Sequence, residues 1–305
     1  MKKFLALALA LVMALSLAAC GSSPAPSSSP APSSSPAPSS SPNVSNPGGS
    51  TPDASTPDSS TPVDSSKPEG GVLVFGTSAD YPPFEFHILD ENGQDKIVGI
   101  DVAVAQKVAE DMGCELKIVD ISFENLLTNM GRGDVDFVMA AMELNEERPN
   151  AADYSDPYYQ DQAPLIVVKK GNEGNFTSLE DFADKTVGAQ TATTKADVVN
   201  EMMPGAKLLP LVTVPELVNN LVYDKCDAVV LDAAVAQKYA ETNDQVIILD
   251  ISLGEAAEPY RAWVAKGDPK GLMDSINATI ASLTDEDMAA IVEEANTLSS
   301  QAVGE

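Results

Sequence analysis

The chain has 305 residues, of which 46 are aspartate or glutamate and 18 are lysine or arginine, so its formal net charge is −28. This charge disfavours nucleic acid and anionic surfaces as partners. His87 is the only histidine and no CxxC pair occurs, which argues against Ser-His-Asp or Cys-His catalysis and against a histidine-rich zinc site. We expect no metal and no cofactor, and the chain lacks the phosphate-binding motif of ATPases.

Residues 1–20 have the order of a secretory signal: two lysines, a short apolar run, and small residues before a cysteine. The last four residues, LAAC, resemble the bacterial lipobox, in which the cysteine becomes the acylated first residue of the mature protein. We therefore predict a lipoprotein signal peptide at 1–20 with lipidation at Cys20. An uncleaved N-terminal anchor is the alternative, and either leaves the rest of the chain outside the cytoplasm.

Residues 21–70 consist mainly of serine and proline in short repeats such as PAPSSS. This composition has too few apolar residues for a core and is typical of disordered or polyproline II segments, at roughly 3.1 Å per residue when extended. We predict a disordered linker that holds the following domain away from a membrane.

Strand and helix signals alternate through residues 71–305, which are enough for two ordinary lobes. Asp101 is the predicted N-cap of the first helix. The pattern predicts βαβ units with mostly parallel sheets, which bind ligands at the carboxyl ends of their strands. The predicted strands are 72–75, 116–119, 135–141, 165–169, 186–189, 208–211, 228–231, 246–249 and 262–265. The predicted helices are 101–112, 122–130, 178–182, one from 193, 215–223, 233–241 and two within 269–298.

Several sequence segments, in their order and spacing, resemble family 3 solute-binding proteins, the extracytoplasmic amino-acid-binding proteins of ABC importers. The resemblance covers nearly all of residues 71–299. It rests on GTSADYPPFEF (76–86), VGID (98–101), GDVD (133–136), ER (147–148), YSDPYY (154–159), SLED (178–181), VG (187–188) and CDAVVLD (226–232).

The resemblance implies an α/β fold of the periplasmic-binding-protein-like type II, with two lobes and a ligand cleft between them. By this analogy lobe 1 begins at 71–160, lobe 2 spans 161–255, and 256–305 return to lobe 1. The crossovers would lie near 160–163 and 253–258.

The same resemblance implies a set of ligand contacts. Arg148 corresponds to the arginine that grips the ligand's α-carboxylate, and a planar guanidinium suits that role chemically; pairing with Glu146 or Glu147 is the alternative. Asp232 corresponds to the acid that receives the α-ammonium, or else it only caps a helix. The other ligand-binding candidates are Thr193 and Thr194 at a helix start, Gln190 before them, and the aromatic residues Tyr81 and Phe123.

Three features depart from the family pattern, at four positions. Glu143 replaces a threonine or serine that helps to hold the ammonium, so two carboxylates would lie near one cation. Ala140 and Ala141 stand where serine is frequent, and Ser78 stands where members that bind lysine or arginine have aspartate. We therefore expect a neutral polar or apolar amino acid rather than a basic one. Glu143 weakens this expectation, because it would either receive a cation or point out of the cleft.

The first functional hypothesis is a monomeric, membrane-anchored binding protein that delivers an α-amino acid to an ABC permease, with ATP hydrolysed by another subunit. It would lie on the outer face of the bacterial cytoplasmic membrane and would not be an enzyme. The second is an exported enzyme on the same fold, similar to cyclohexadienyl dehydratases, with Glu143 and Asp232 as acid and base. The third is a ligand sensor.

Overall fold

The computed structural model describes residues 71–254 and 256–302; the predicted signal peptide, Cys20 and the serine- and proline-rich segment lie outside the described residues. The strands are β1 (Val72–Thr77), β2 (Asp80–Tyr81), β3 (Glu85–Leu89), β4 (Asp95–Val98), β5 (Glu115–Asp120), β6 (Phe137–Val138), β7 (Ala152–Tyr159), β8 (Leu165–Lys169), β9 (Thr186–Gln190), β10 (Lys207–Leu211), β11 (Ala228–Leu231), β12 (Val246–Ile248) and β13 (Tyr260–Ala265). The α-helices are α1 (Ile100–Asp111), α2 (Leu126–Arg132), α3 (Arg148–Ala151), α4 (Thr194–Met202), α5 (Val214–Val222), α6 (Ala233–Thr242), α7 (Met273–Ser282) and α8 (Asp285–Ala302).

The first five-stranded sheet has the order β5-β1-β6-β13-β7, and we call it with its helices lobe 1. Its strand β1 runs parallel to β5 and β6, whereas β13 runs antiparallel to β6 and β7. The rings of Phe75 on β1 and Phe137 on β6 stack with their centroids 5.1 Å apart. Because β1 and β6 are parallel neighbours, their carboxyl ends open at the same edge of the sheet.

The second five-stranded sheet has the order β10-β9-β11-β8-β12, and we call it with its helices lobe 2. Strand β9 runs parallel to β10 and β11, and β8 runs antiparallel to β11 and β12. Helix α5 is strongly amphipathic and buries Val214, Leu217, Val218 and Leu221. The carboxyl ends of β9 and β11 thus meet at one edge, as they do for β1 and β6.

Most predicted elements are present, and the differences lie in short or polar segments. The predicted strand 135–141 shrinks to β6, because the chain leaves the sheet at Met139. The antiparallel strands β2, β3 and β4 form a separate three-stranded sheet that the sequence analysis did not predict. It also missed β7, an edge strand that contains Pro157 and so lacks one backbone donor.

We predicted that Asp101 caps helix α1, and this prediction is wrong. The helix begins at Ile100 with Gly99 as its N-cap, and Asp101 lies buried in the first turn. Gly99 has φ +135°, and a Cβ at this position would overlap the carbonyl of Phe84. Only glycine therefore allows the helix start to lie so close to the turn after β2.

None of the helices in the described part of the chain is long and apolar enough to span a membrane.

We predict that Gly99→Ala lowers the free energy of unfolding by about 2 kcal/mol or more, because the new Cβ would overlap backbone at a strained φ. Urea unfolding of the purified protein measures this change. Gly174→Ala is the matched control, since its Cβ would meet nothing within 4 Å. Equal losses in the two variants would contradict the close approach.

Candidate functional site

Lobe 1 contributes candidate residues from the ends of two parallel strands. Ser78 follows β1, and Ala141 and Glu143 follow β6; all three are buried. Arg148 opens the short helix α3 and is 7% exposed. Because both strands end at the same edge of the sheet, residues that are distant in sequence lie close together there.

Lobe 2 contributes residues in the same way. Gln190 ends β9, and Thr193 and Thr194 lead into helix α4. Asp232 follows β11 at the start of α6 and is 1% exposed. Although Asp232 has the N-cap position of α6, its side chain makes no capping hydrogen bond.

One cavity between the two sheets brings these residues together. All ten candidate ligand-binding residues line it, and its volume is about 10 Å³, about the space that one water molecule needs. The lining residues are Ser78, Asp80, Tyr81, Glu85, Phe123, Ala140, Ala141, Glu143, Arg148, Gln190, Thr193, Thr194, Lys195 and Asp232.

The guanidinium of Arg148 connects the two lobes. Nη1 donates to the carbonyl of Glu143, and Nη2 donates to the carbonyl of Ala192 at 3.0 Å. Its carbon Cζ lies 5.4 Å from the ring centroid of Phe123, in a cation–π contact. Among the described residues it forms no salt bridge with Glu146 or Glu147, and burial lowers the pKa of Arg148. Each terminal nitrogen of the guanidinium therefore bonds a main-chain carbonyl, one in each lobe.

Lys195 is the centre of a buried charge cluster. Its Nζ lies 2.8 Å from Glu143 Oε2 and 2.6 Å from Asp232 Oδ1. Asp232 Oδ2 accepts a hydrogen bond of 2.5 Å from the hydroxyl of Tyr81, and Thr194 Oγ1 donates to Glu143. Burial disfavours the charged form of Lys195, but the two carboxylates outweigh it and raise its pKa. Glu143 therefore points into the cavity, where a cation of the protein itself pairs with it.

Asp80 is a further acid of the cavity, and protein donors surround it. It accepts from the Ser78 hydroxyl at 3.0 Å, from the Val214 amide at 2.9 Å and from the Gln190 side chain at 3.4 Å. Burial raises the pKa of Asp80 despite these bonds. Two of its three donors belong to lobe 2, so Asp80 also connects the lobes.

A pair of buried acids lies at the wall of the cavity, where Glu85 is one of the lining residues. Asp101 accepts hydrogen bonds of 2.7 Å from the Ala141 amide and from the Tyr158 hydroxyl. Burial raises the pKa of Asp101 to about 6, and burial together with the charge of Asp101 raises the pKa of Glu85 well above its ordinary value. The shifts therefore favour a protonated Glu85 near the Asp101 carboxyl, which accepts two hydrogen bonds. The Asp101 carboxyl fixes Ala141, whose φ of 45° is strained for a non-glycine residue.

The sequence analysis assigned no role to Lys195, Asp80 or Glu85. Asp80 and Glu85 lie within the quoted segment 76–86, but nothing in that segment separates cavity residues from framework residues. Lys195 had one sequence signal, since a lysine in the first turn of a helix opposes the helix dipole. Such a residue needs a compensating acid nearby.

Comparison with known proteins identifies the family. The model of the bacterial extracellular solute-binding proteins, family 3, matches residues 73–295. This chain belongs to that family. The family 3 resemblance and the two-lobed α/β fold predicted from the sequence are thereby confirmed.

Individual relatives of this family 3 protein include binding proteins and one enzyme. The arginine-binding extracellular protein ArtP of Bacillus subtilis (strain 168) is 33% identical over 70% of this chain and 81% of its own. The arginine-bound AbpA of Streptococcus pneumoniae is 28% identical with a TM-score of 0.70, over 75% of this chain and 96% of that one. The cyclohexadienyl dehydratase of Pseudomonas aeruginosa is 34% identical, but over only 40% of this chain and 43% of its own.

We predict that Glu85→Gln reduces the dependence of stability on pH. A carboxyl whose folded pKa is raised stabilises the fold below its unfolded pKa, near 4, and loses that contribution as pH rises through the folded value, about 6 for Asp101. The glutamine amide donates to Asp101 at every pH. The free energy of unfolding of the wild type relative to the variant should fall by about 1 to 3 kcal/mol between pH 4 and 8.

Urea unfolding at both pH values measures this difference, with the exposed Glu91→Gln as control. Identical pH profiles for the wild type and Glu85→Gln would show that the two acids do not share a proton.

Proposed function

We propose that this protein captures an α-amino acid between its two lobes and delivers it to an ABC permease. The observation that carries the proposal is the cavity itself, in which the buried guanidinium of Arg148 and the buried carboxylate of Asp232 come from opposite lobes. A cation and an anion held in this way complement the two charged groups of an amino-acid zwitterion. The arginine-binding relatives support the same reading.

Each candidate residue except Glu143, which pairs with Lys195, has a role toward the ligand in this proposal. Arg148 exchanges its two carbonyl contacts for a bidentate pair with the ligand carboxylate, which also receives N–H donors from the start of α4 at Thr193 and Thr194. Asp232 receives the ligand ammonium, and the Tyr81 hydroxyl orients the Asp232 carboxyl group. Phe123, Ala141, Ser78 and Gln190 would form the walls around the ligand side chain.

Binding in this site requires the lobes to move apart and close again. The cavity of about 10 Å³ is too small for an amino acid, so entry needs a more open arrangement. Contacts such as Asp80 to the Val214 amide and Tyr81 to Asp232 then form on closure. The proposed hinge comprises the crossovers near 160–163 and 253–258, where Gln160 donates to Ala257 O at 2.6 Å. We retain 71–160, 161–255 and 256–305 as the lobe boundaries.

We propose that the ligand leaves chemically unchanged, with no cofactor. The dehydratase relative keeps an enzyme reading open, with Glu143 and Asp232 as its acid and base. Against it, the ammonium of Lys195 lies between the two carboxyl groups, at 2.8 Å from Glu143 and 2.6 Å from Asp232, so a cation of the protein already occupies the space between the proposed acid and base. Presentation of the closed lobes to a receptor would make the protein a sensor with the same ligand.

Outside the described residues, we propose that Cys20 carries the lipid anchor and that the segment 21–70 is the tether. The protein would then act as a monomer on the outer face of the bacterial cytoplasmic membrane, beside a permease and its ATPase subunit. Its acidic composition supports the expectation that nucleic acid is not a partner.

We predict that at least one common amino acid raises the thermal midpoint of the purified protein, and that Arg148→Ala abolishes the effect. A ligand at 100 times its dissociation constant stabilises the fold by about 2.7 kcal/mol. Loss of the arginine leaves a buried carboxylate unpaired, which costs about 2 to 5 kcal/mol. Calorimetry on each hit gives the affinities.

The exposed Arg132→Ala is the matched control, since it removes the same positive charge outside the cavity. Binding that survives Arg148→Ala would contradict the proposed carboxylate contact. Prephenate and arogenate belong in the same panel, and turnover of either by the wild type would replace the binding function with the enzyme reading.

We predict that Cys20→Ala moves the protein from the membrane fraction to the medium or the soluble extracytoplasmic fraction. Thiol acylation requires the cysteine, so labelling with a clickable fatty acid should be lost as well. Cys114→Ala is the control that keeps Cys20. Membrane retention and labelling of Cys20→Ala would disprove the lipid anchor.

A further inference from the structure

Lys195 distinguishes this cavity from a simple pairing of one arginine with one aspartate. It is 5% exposed and lies in the first turn of α4. Its ammonium contacts Glu143 from lobe 1 and Asp232 from lobe 2. These are the same two carboxylates that the sequence analysis regarded as partners for the ligand ammonium.

The formal charges of Glu143, Asp232 and Lys195 do not cancel. In formal charges, Glu143 and Asp232 contribute two negative charges, and Lys195 contributes one positive charge. One negative charge therefore remains for the ligand. Arg148 bonds neither carboxyl group of the cluster, because its guanidinium donates to the main-chain carbonyls of Glu143 and Ala192.

A zwitterion completes this arrangement, because its carboxylate balances Arg148 and its single ammonium balances the remaining negative charge. Asp80 is already bound by protein groups, since the Ser78 hydroxyl, the Val214 amide and the Gln190 side chain donate to it. A second cation on the ligand would share an occluded pocket with Lys195. Water screens such repulsion poorly inside a closed site.

We propose that Lys195 is a specificity-determining residue that matches this site to amino acids with an uncharged side chain. The inference rests on the proposed amino-acid-binding function and deepens it. Lys195 balances one of the two formal negative charges of Glu143 and Asp232, so together the two carboxyl groups can balance one ligand ammonium. We expect this chain to differ in selectivity from its relatives that are named for arginine binding.

A charge series of four proteins tests the proposal: the wild type, Lys195→Gln, Glu143→Gln and the double variant. The probes are L-citrulline and L-arginine, which have nearly the same shape and differ by one charge, and calorimetry gives both dissociation constants. The wild type should bind citrulline more tightly. Lys195→Gln should shift the affinity ratio toward arginine by about tenfold or more, and Glu143→Gln should shift it in the opposite direction.

The double variant restores the charge of the wild type, so its ratio should return toward the wild-type value. A purely steric role for Lys195 cannot produce opposite shifts in the two single variants and cancellation in the double. If Lys195→Gln fails to fold, Glu143→Gln and the double variant still provide one shift and one return.

A ratio that is the same in all four proteins would overturn the charge-matching role, and so would tighter binding of arginine by the wild type. Either result leaves amino-acid binding intact. A wild type that binds no amino acid in the wider panel would instead overturn the proposed function and this inference together.

Discussion

The arrangement of the cavity depends on giving each buried charge a compensating polar or charged partner. Glu143, Arg148, Lys195 and Asp232 are each no more than 7% exposed, and moving an ion out of water costs several kcal/mol unless a partner compensates. Lys195 meets Glu143 across the boundary between the lobes and Asp232 within lobe 2. The closed packing of the two sheets therefore has to bring these atoms within hydrogen-bonding distance.

The topology of the two sheets makes this meeting geometrically possible. Each sheet directs the carboxyl ends of a parallel pair toward the cleft, β1 and β6 in lobe 1 and β9 and β11 in lobe 2. The antiparallel strands β13 and β8 belong to the same two sheets, but none of their residues lines the cavity. Functional side chains thus stand on the segments that follow rigid strands, which limits their movement.

The two acids at the cavity wall, Asp101 and Glu85, also limit the movement of the wall residue Ala141. Asp101 binds the Ala141 amide and holds Ala141 at positive φ, and burial favours the protonated form of Glu85, which limits charge repulsion with Asp101. Gly99 permits the close approach of helix α1 that brings Asp101 there. Gly99 therefore affects the shape of the ligand site although it does not line the cavity.

The α/β class could be predicted from the sequence, because strand and helix periods are short-range patterns. The candidate residues that line the cavity followed from the resemblance to family 3 proteins, whose motifs are also readable along the chain. The sequence analysis misjudged Asp101, whose cap position was plausible locally but whose carboxyl is bound by Ala141, 40 residues away. Only the tertiary structure decided what Glu143 faces. Its partner Lys195 is 52 residues distant and in the other lobe, and no local pattern encodes how two separately formed sheets pack against each other.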